Sequence, residues 1–328
     1  MFKNKITVFA AFCLTSVYCF GVTHSELQAV NSDGSSAFSG SDIIQLEGII
    51  LNSPENNLSP EPNSLASPWF MGGQWQIFIQ GEGEDTAGTA CWMGQNYANG
   101  PGTDSYTEQQ WLAELNRLNY DSSTGYAFRA GDRVQVTGSY LFYGGKVNIN
   151  ENHQTNPDFD FTIELVKPAV GLPKPEEISL SDLKDANNEF IFDQSRQSGP
   201  ERYQSRRVRI SDVWVNNPEN WIPDGNIELQ DSTGRTMPVS LGLGKGISLY
   251  QCPEGTIDVI GVLNQEGGSD PTSGYEIIIF DYNGNPLVLG DTGPTRGNLA
   301  GDINNDFVVN INDLAAIASN WLKDIAGL

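Results

Sequence analysis

Apolar and polar residues alternate in a series of short stretches separated by Gly, Pro, Asn and Ser, the pattern of half-buried β-strands. The first is Asp42–Leu51, where Gly48 interrupts the alternation as at a β-bulge. A Pro/Asn/Ser-rich loop follows over 52–68, and further strands are predicted at Gln74–Gln80 and Gly88–Tyr97. The period then changes. Thr107–Leu118 places Trp111, Leu112, Leu115 and Leu118 on one helical face, with Thr107 or Ser105 as the cap. Strands resume at Arg133–Phe142, Lys146–Asn150 and Phe161–Leu165, with Tyr143-Gly-Gly145 as the turn between the first two.

The plan then repeats. Arg206–Val215, Asn226–Asp231, Thr236–Leu241, Thr256–Leu263 and Tyr275–Phe280 read as five more strands. In both halves a similar phrase opens strand four, Ala130-Gly-Asp-Arg-Val-Gln-Val-Thr-Gly138 and Glu254-Gly-Thr-Ile-Asp-Val-Ile-Gly261. With that element order the body resembles tandem OB-fold domains, five-stranded Greek-key barrels whose ligands lie on strands two and three and in the loops beside them. The expected fold class is therefore mainly β, with two OB-like five-stranded barrels, the first carrying an inserted helix; a pair of β-sandwiches is the alternative. The barrels are expected over 42–167 and 200–290, divided by a Pro-containing linker with a short helix, 168–199.

Composition bears on location. Lys3 and Lys5 precede an apolar run from Ile6 to Tyr18, and Cys19-Phe-Gly21 supplies small residues for cleavage, so 1–21 reads as a secretory signal. A flexible, Ser- and Gly-rich lead is expected over 22–41. No later run is long enough for a transmembrane segment. The chain carries 41 acidic against 18 basic residues, a net charge of −23 that becomes −25 without Lys3 and Lys5. Such a surface repels phosphate backbones, which argues against nucleic acid as a partner. Cys91 and Cys252 remain after the signal, either as a disulfide or as two free thiols.

The C-terminus carries a second signature. After a connector over 291–300, oxygen side chains recur at Asp302, Asn304, Asp306, Asn310 and Asp313, loop positions 1, 3, 5, 9 and 12, and Val308 at position 7 offers its carbonyl. Leu314, Ile317 and Trp321 then share one helical face. Read from the residues alone, this is a calcium loop with a helix or a turn-rich tail with a short capped helix. The stretch Gly301–Leu322, within a module over 301–328, resembles one repeat of a type I dockerin, with Phe307 where such loops carry Gly. The resemblance implies calcium held by Asp302, Asn304, Asp306, Val308, Asn310 and Asp313, a docking face of Leu314, Ile317 and Trp321, and a cohesin-like partner.

Aromatic side chains mark the candidate ligand face: Trp92 and Tyr97 on the third strand, Trp69 on the first loop and Trp221 on its counterpart in the second half. Flat rings beside amide side chains suit sugars. Trp75 is expected on the same face. Arg202, Arg206, Arg207 and Arg209 read as a solvated strand edge, and His153 as a polar loop residue. No Gly-x-Ser-x-Gly elbow or His-Glu-x-x-His metal motif is present, so no catalytic residues are assigned. The expectation is a secreted, extracellular or cell-surface binding or scaffold protein, non-catalytic, whose barrels engage a polysaccharide or an extracellular protein. The alternatives are a dockerin-bearing glycoside hydrolase and an extracellular OB-fold nucleic-acid binder. Calorimetric titration of calcium should give heat that disappears in a chain ending at Gly297 and in the Asp302→Ala, Asp306→Ala double variant, because without the cation the loop carboxylates repel one another.

Overall fold

The computed structural model describes residues 20–59, 72–85, 87–96, 105–222, 225–241, 251–280, 282 and 288–290. The first body comprises β1 (Phe20–Gly21), α1 (His24–Leu27), β2 (Ile43–Ile50), β3 (Leu58–Ser59), β4 (Gln74–Gln80), β5 (Gly88–Gly94), α2 (Glu108–Asn119), β6 (Arg133–Tyr143), β7 (Lys146–Asn150) and β8 (Thr162–Lys167). Strand β2 pairs with β4, β4 with β5, β5 with β7, β7 with β6, and β6 returns to β2. Five strands thus close into an OB-like barrel, antiparallel except for the parallel pair β5–β7. Closure leaves no free edge among these five.

The second body comprises β9 (Glu176–Ile178), α3 (Leu180–Leu183), β10 (Arg207–Val215), β11 (Asn226–Gln230), β12 (Thr236–Ser240), β13 (Ile257–Gln265), β14 (Tyr275–Ile278) and β15 (Val288–Gly290). Among the described residues it is a seven-stranded sheet in the order β15-β13-β14-β12-β11-β10-β9, with β13 also pairing with β10.

Local chemistry explains these elements. In α2 Thr107 and Gln110 form a reciprocal capping box, and Trp111, Leu115 and Leu118 enter the barrel core. Leu112, expected on that face, is 50 % exposed, since the buried stripe follows Trp111, Leu115 and Leu118 instead. The β6–β7 turn places Gly144 and Gly145 at φ 62° and 99°, conformations open to glycine at no steric cost. No bulge forms at Gly48: the β2–β6 register runs unbroken from Ile43 to Ile49. A side chain at Gly48 would meet the Gln80 carbonyl at 2.8 Å and His24 at 3.0 Å, so the glycine makes room for neighbours.

The lead over 22–41 is packed rather than flexible. Leu27 lies in the barrel core, and the Gln28 amide exchanges two hydrogen bonds with the Val147 backbone, donating at 2.6 Å and accepting at 3.1 Å. His24 is buried between Thr89 Oγ1 at 2.8 Å and the Glu47 carbonyl at 3.2 Å, while its backbone N–H donates to Asp85. These bonds replace the water that a mobile lead would keep. The stretch expected as a linker also joins the fold. Strand β9 runs parallel to β10, and Ile178, Leu180 and Leu183 lie in the second core.

Cys91 and Cys252 are free thiols; Cys91 is sealed inside the barrel, where burial pushes its thiol pKa up. Among the described residues no helix is long and apolar enough to cross a membrane.

Burial lowers the His24 pKa, with Asp85 and the Glu47 carbonyl opposing the shift. Neutral His24 therefore contributes stability that is complete above the ordinary histidine value of 6.5 and erodes as the pH falls below it. Urea unfolding between pH 8 and pH 5 should show this loss, and His24→Gln should flatten it.

Candidate functional site

Strand register assembles the site. Across the barrel wall, Gln76 of β4 stands opposite Trp92 of β5, and Trp92 opposite Asn150 of β7. The intervening residues Ile77, Cys91 and Ile149 point into the core, so this rung points outward. Two residues along each strand lies a second outward rung, Phe78, Ala90 and Asn148. That rung is covered: Leu51, Phe78 and Ala90 form one buried cluster with Val262, Ile278 and Phe280 of the second sheet. The Phe78 and Phe280 rings lie 5.9 Å apart. The face on which OB barrels commonly bind ligands is thus divided into a dry half under the second sheet and a half that keeps the Trp92 rung.

The Trp92 rung is framed by rings and amides. Trp92 is half-buried and meets the His153 ring edge-on, with centroids 5.6 Å apart. The ring of Tyr143, 50 % exposed at the β6–β7 turn, also lies near His153, with centroids 6.1 Å apart. His153 is set there by an unusual backbone: Asn152 and His153 both take positive φ, 51° and 53°. The His153 N–H donates to Asn150 Oδ1 at 3.2 Å, and Asn152 Nδ2 donates to Ser139 Oγ at 3.2 Å, which holds this loop. Burial lowers the His153 pKa, favouring the neutral imidazole. Beside it, Asn57 Nδ2 donates to Gln76 Oε1 at 3.1 Å. Aromatic surface next to the half-buried Gln76 amide, itself held by buried Asn57, can stack a pyranose ring and bond a hydroxyl.

The same loop leads into an acidic cluster. Carboxylate oxygens of Glu114 on α2, Glu151 after β7 and Asp160 before β8 lie within 4.8 Å of one another. Glu151 is fully buried, and the Tyr106 hydroxyl donates to it at 2.7 Å. Burial pushes the Asp160 pKa up, opposed by Arg117 and helped by Glu114. Hard oxygen ligands at this spacing could hold a divalent cation. Arg117 already supplies counter-charge, at 2.7 Å from Glu114 and 3.3 Å from Glu151.

Of the residues expected at a ligand site, half-buried Trp92 is on the half of the face that the second sheet does not cover. Trp221 follows the second sheet's β10, packs against that sheet's core and stands edge-on to Tyr282 at 5.5 Å. Trp69, Tyr97, the calcium loop Asp302, Asn304, Asp306, Val308, Asn310 and Asp313, and the docking face Leu314, Ile317 and Trp321 lie outside the described residues. Trp75 points inward, fully buried, with its indole N–H donating to Asn119 Oδ1 at 2.7 Å. Alternation along β4 puts it on the side of Ile77 and Ile79.

The arginines form no open basic groove. Arg202 and Arg206 pair with Glu176, Arg209 pairs with Asp258, and buried Arg207 donates to the Pro173 carbonyl. Sequence reasoning missed Gln76, Asn150, Tyr143 and the acidic cluster, and took His153 as a plain loop residue. The alternation in Lys146–Asn150 was the available signal for Asn150, because it places that residue on the side opposite Ile149. No protein-family model matches the chain, and no curated protein matches it.

Removing Arg117 leaves buried Glu151 without its counter-ion. Arg117→Ala should cost about 3 kcal/mol in denaturant unfolding, and millimolar divalent cation should restore part of that loss by taking the guanidinium's place.

Proposed function

We propose that this protein is an extracellular, non-catalytic carbohydrate-binding protein whose ligand face is the Trp92 rung of the first barrel. The observation that carries the reading is the part of the face that the second sheet does not cover, where half-buried Trp92, Gln76 and His153 and exposed Tyr143 come together, and where buried Asn57 and Asn150 hold Gln76 and the His153 backbone. A sugar presents an apolar face to stack and hydroxyls to bond, and this strip offers both kinds of contact without net positive charge. The C-terminal dockerin-like repeat would dock the protein through a calcium-ordered loop onto a cohesin-like partner, consistent with the leader's reading as a secretory signal.

We read the second sheet as a second barrel of the same plan. Support comes from its pairings, β10–β11, β11–β12, parallel β12–β14, β14–β13 and β13–β10, which repeat the order of the first ring. The nucleic-acid alternative loses support from the net charge and from arginines already paired with carboxylates. The glycoside-hydrolase alternative has the acidic cluster in its favour, but Glu151 is fully buried there, away from any bulky substrate.

The test is binding of the purified protein to a panel of soluble polysaccharides by calorimetry. Trp92→Ala should weaken the best ligand about tenfold, the loss of about 1.4 kcal/mol of stacking. Unchanged affinity in a folded variant would overturn the site, and salt-sensitive DNA binding without sugar binding would overturn the reading.

A further inference from the structure

Where the two sheets meet, a buried amine and a buried carboxamide lie beside a half-buried carboxyl group. Lys146 opens β7 on the covered half of the barrel face, and its side chain is 2 % exposed. It crosses to the second sheet, where Nζ donates to Asn264 Oδ1 at 2.7 Å and to Glu266 Oε1 at 2.5 Å. Asn264 on β13 is 1 % exposed and stands directly opposite Glu276 on β14. Its Nδ2 donates to Glu276 Oε1 at 2.9 Å. Val262 and Ile278, two residues along each strand on the same face, wall the trio with apolar surface.

We propose that Lys146 and Asn264 become joined by an amide bond between their side chains, with Glu276 as the proton shuttle, tying the two sheets together covalently. The electrophilic carbon, Asn264 Cγ, is one bond beyond the oxygen that Nζ touches, so the reactants are held together by the fold rather than by encounter. Glu266 takes the first proton from the Lys146 ammonium. The freed lone pair attacks Cγ, and Nδ2 receives a proton from Glu276 as the Cγ–Nδ2 bond breaks. Ammonia leaves. The second Nζ proton then returns to Glu276, so an amine and a primary amide have become a secondary amide and ammonia, with no oxidant or cofactor consumed.

The surroundings favour these roles. Burial pushes the Glu276 pKa up, which favours its protonated form beside the leaving nitrogen, while Asn264 and Lys146 oppose the shift. A buried lysine amine is a competent nucleophile once its proton has moved to a neighbouring carboxylate. The reaction exchanges a buried ion for a neutral amide, which removes a desolvation penalty. It also depends on the folded state, because the partners are 118 residues apart in sequence.

The decisive measurement is the mass of the purified, folded full chain, taken intact under denaturing conditions and again after proteolysis. The expected result is the loss of one ammonia relative to the sequence of the purified chain, with a branched peptide linking Lys146 to Asn264. Lys146→Arg and Glu276→Gln should each retain the full mass and yield two separate linear peptides. Wild-type protein that is folded by circular dichroism yet keeps its full mass, with Lys146 and Asn264 on separate peptides, would overturn the proposal. A branched peptide that persists at full yield in Glu276→Gln would overturn the shuttle role.

Discussion

The outer wall of the first barrel carries Phe78 and Ala90 where a lone barrel would be polar, and these residues are buried against Val262, Ile278 and Phe280 of the second sheet. Each large side chain buried there contributes about 2 kcal/mol relative to exposure, so the contact holds the two bodies in one arrangement. The approach is close. A Cβ at Gly88 would lie 2.0 Å from the Ser205 carbonyl oxygen, and the Gly88 N–H donates to the Gln204 carbonyl at 3.3 Å. The Gln80 side chain accepts from the Arg207 N–H at 2.9 Å, and the Gly267 N–H donates to the Gly144 carbonyl at 2.7 Å. Main-chain groups of both bodies are therefore satisfied by each other rather than by water.

This contact decides what the rest of the molecule can do. It covers half of the surface that OB barrels commonly use for ligands and leaves the Trp92 rung outside the contact. It also places Lys146 where its charge must be met by the second sheet, which brings the amine onto Asn264 and Glu266. The β6–β7 turn is pinned at Gly144 against Gly267, so Tyr143 is held near His153. The division of the barrel face, the Lys146 contacts and the turn geometry thus follow from one packing arrangement.

Electrostatics follow the same economy. The chain has few cations, and among the described residues most of its arginines are occupied within the fold: Arg117 in the acidic cluster, Arg133 with Glu82, and Arg202, Arg206 and Arg209 with carboxylates near β9 and β13. With 41 acidic against 18 basic residues in the chain, unpaired carboxylates outnumber the cations left for them. The N-terminal lead is part of the same construction, since Gln28 satisfies the Val147 backbone and Leu27 completes the core.

The longer strands, helix α2 and the β6–β7 turn were legible in the sequence because their causes are local, whereas the short strands β1, β3, β9 and β15 were not. Alternation at 74–80 and 133–142, the Thr107–Gln110 capping box and the Gly144-Gly145 pair act over a few residues. The order of the first barrel followed from the order of those elements. Trp92 could be named from the sequence as an aromatic on a strand, but the direction of Trp75 needed the register of β4. Phe78 gave no sign that it faces a second body rather than its own core, because an apolar residue reads the same in either place. The lead 22–41 looked like a tail because its docking groups, His24 and Gln28, are polar. His153 beside Trp92, the meeting of Glu114, Glu151 and Asp160, and the contact of Lys146 with Asn264 are all unions of distant segments. Periodicity reports which way a side chain points within its own element; only tertiary packing decides what it meets there, because that depends on how whole sheets are seated against each other.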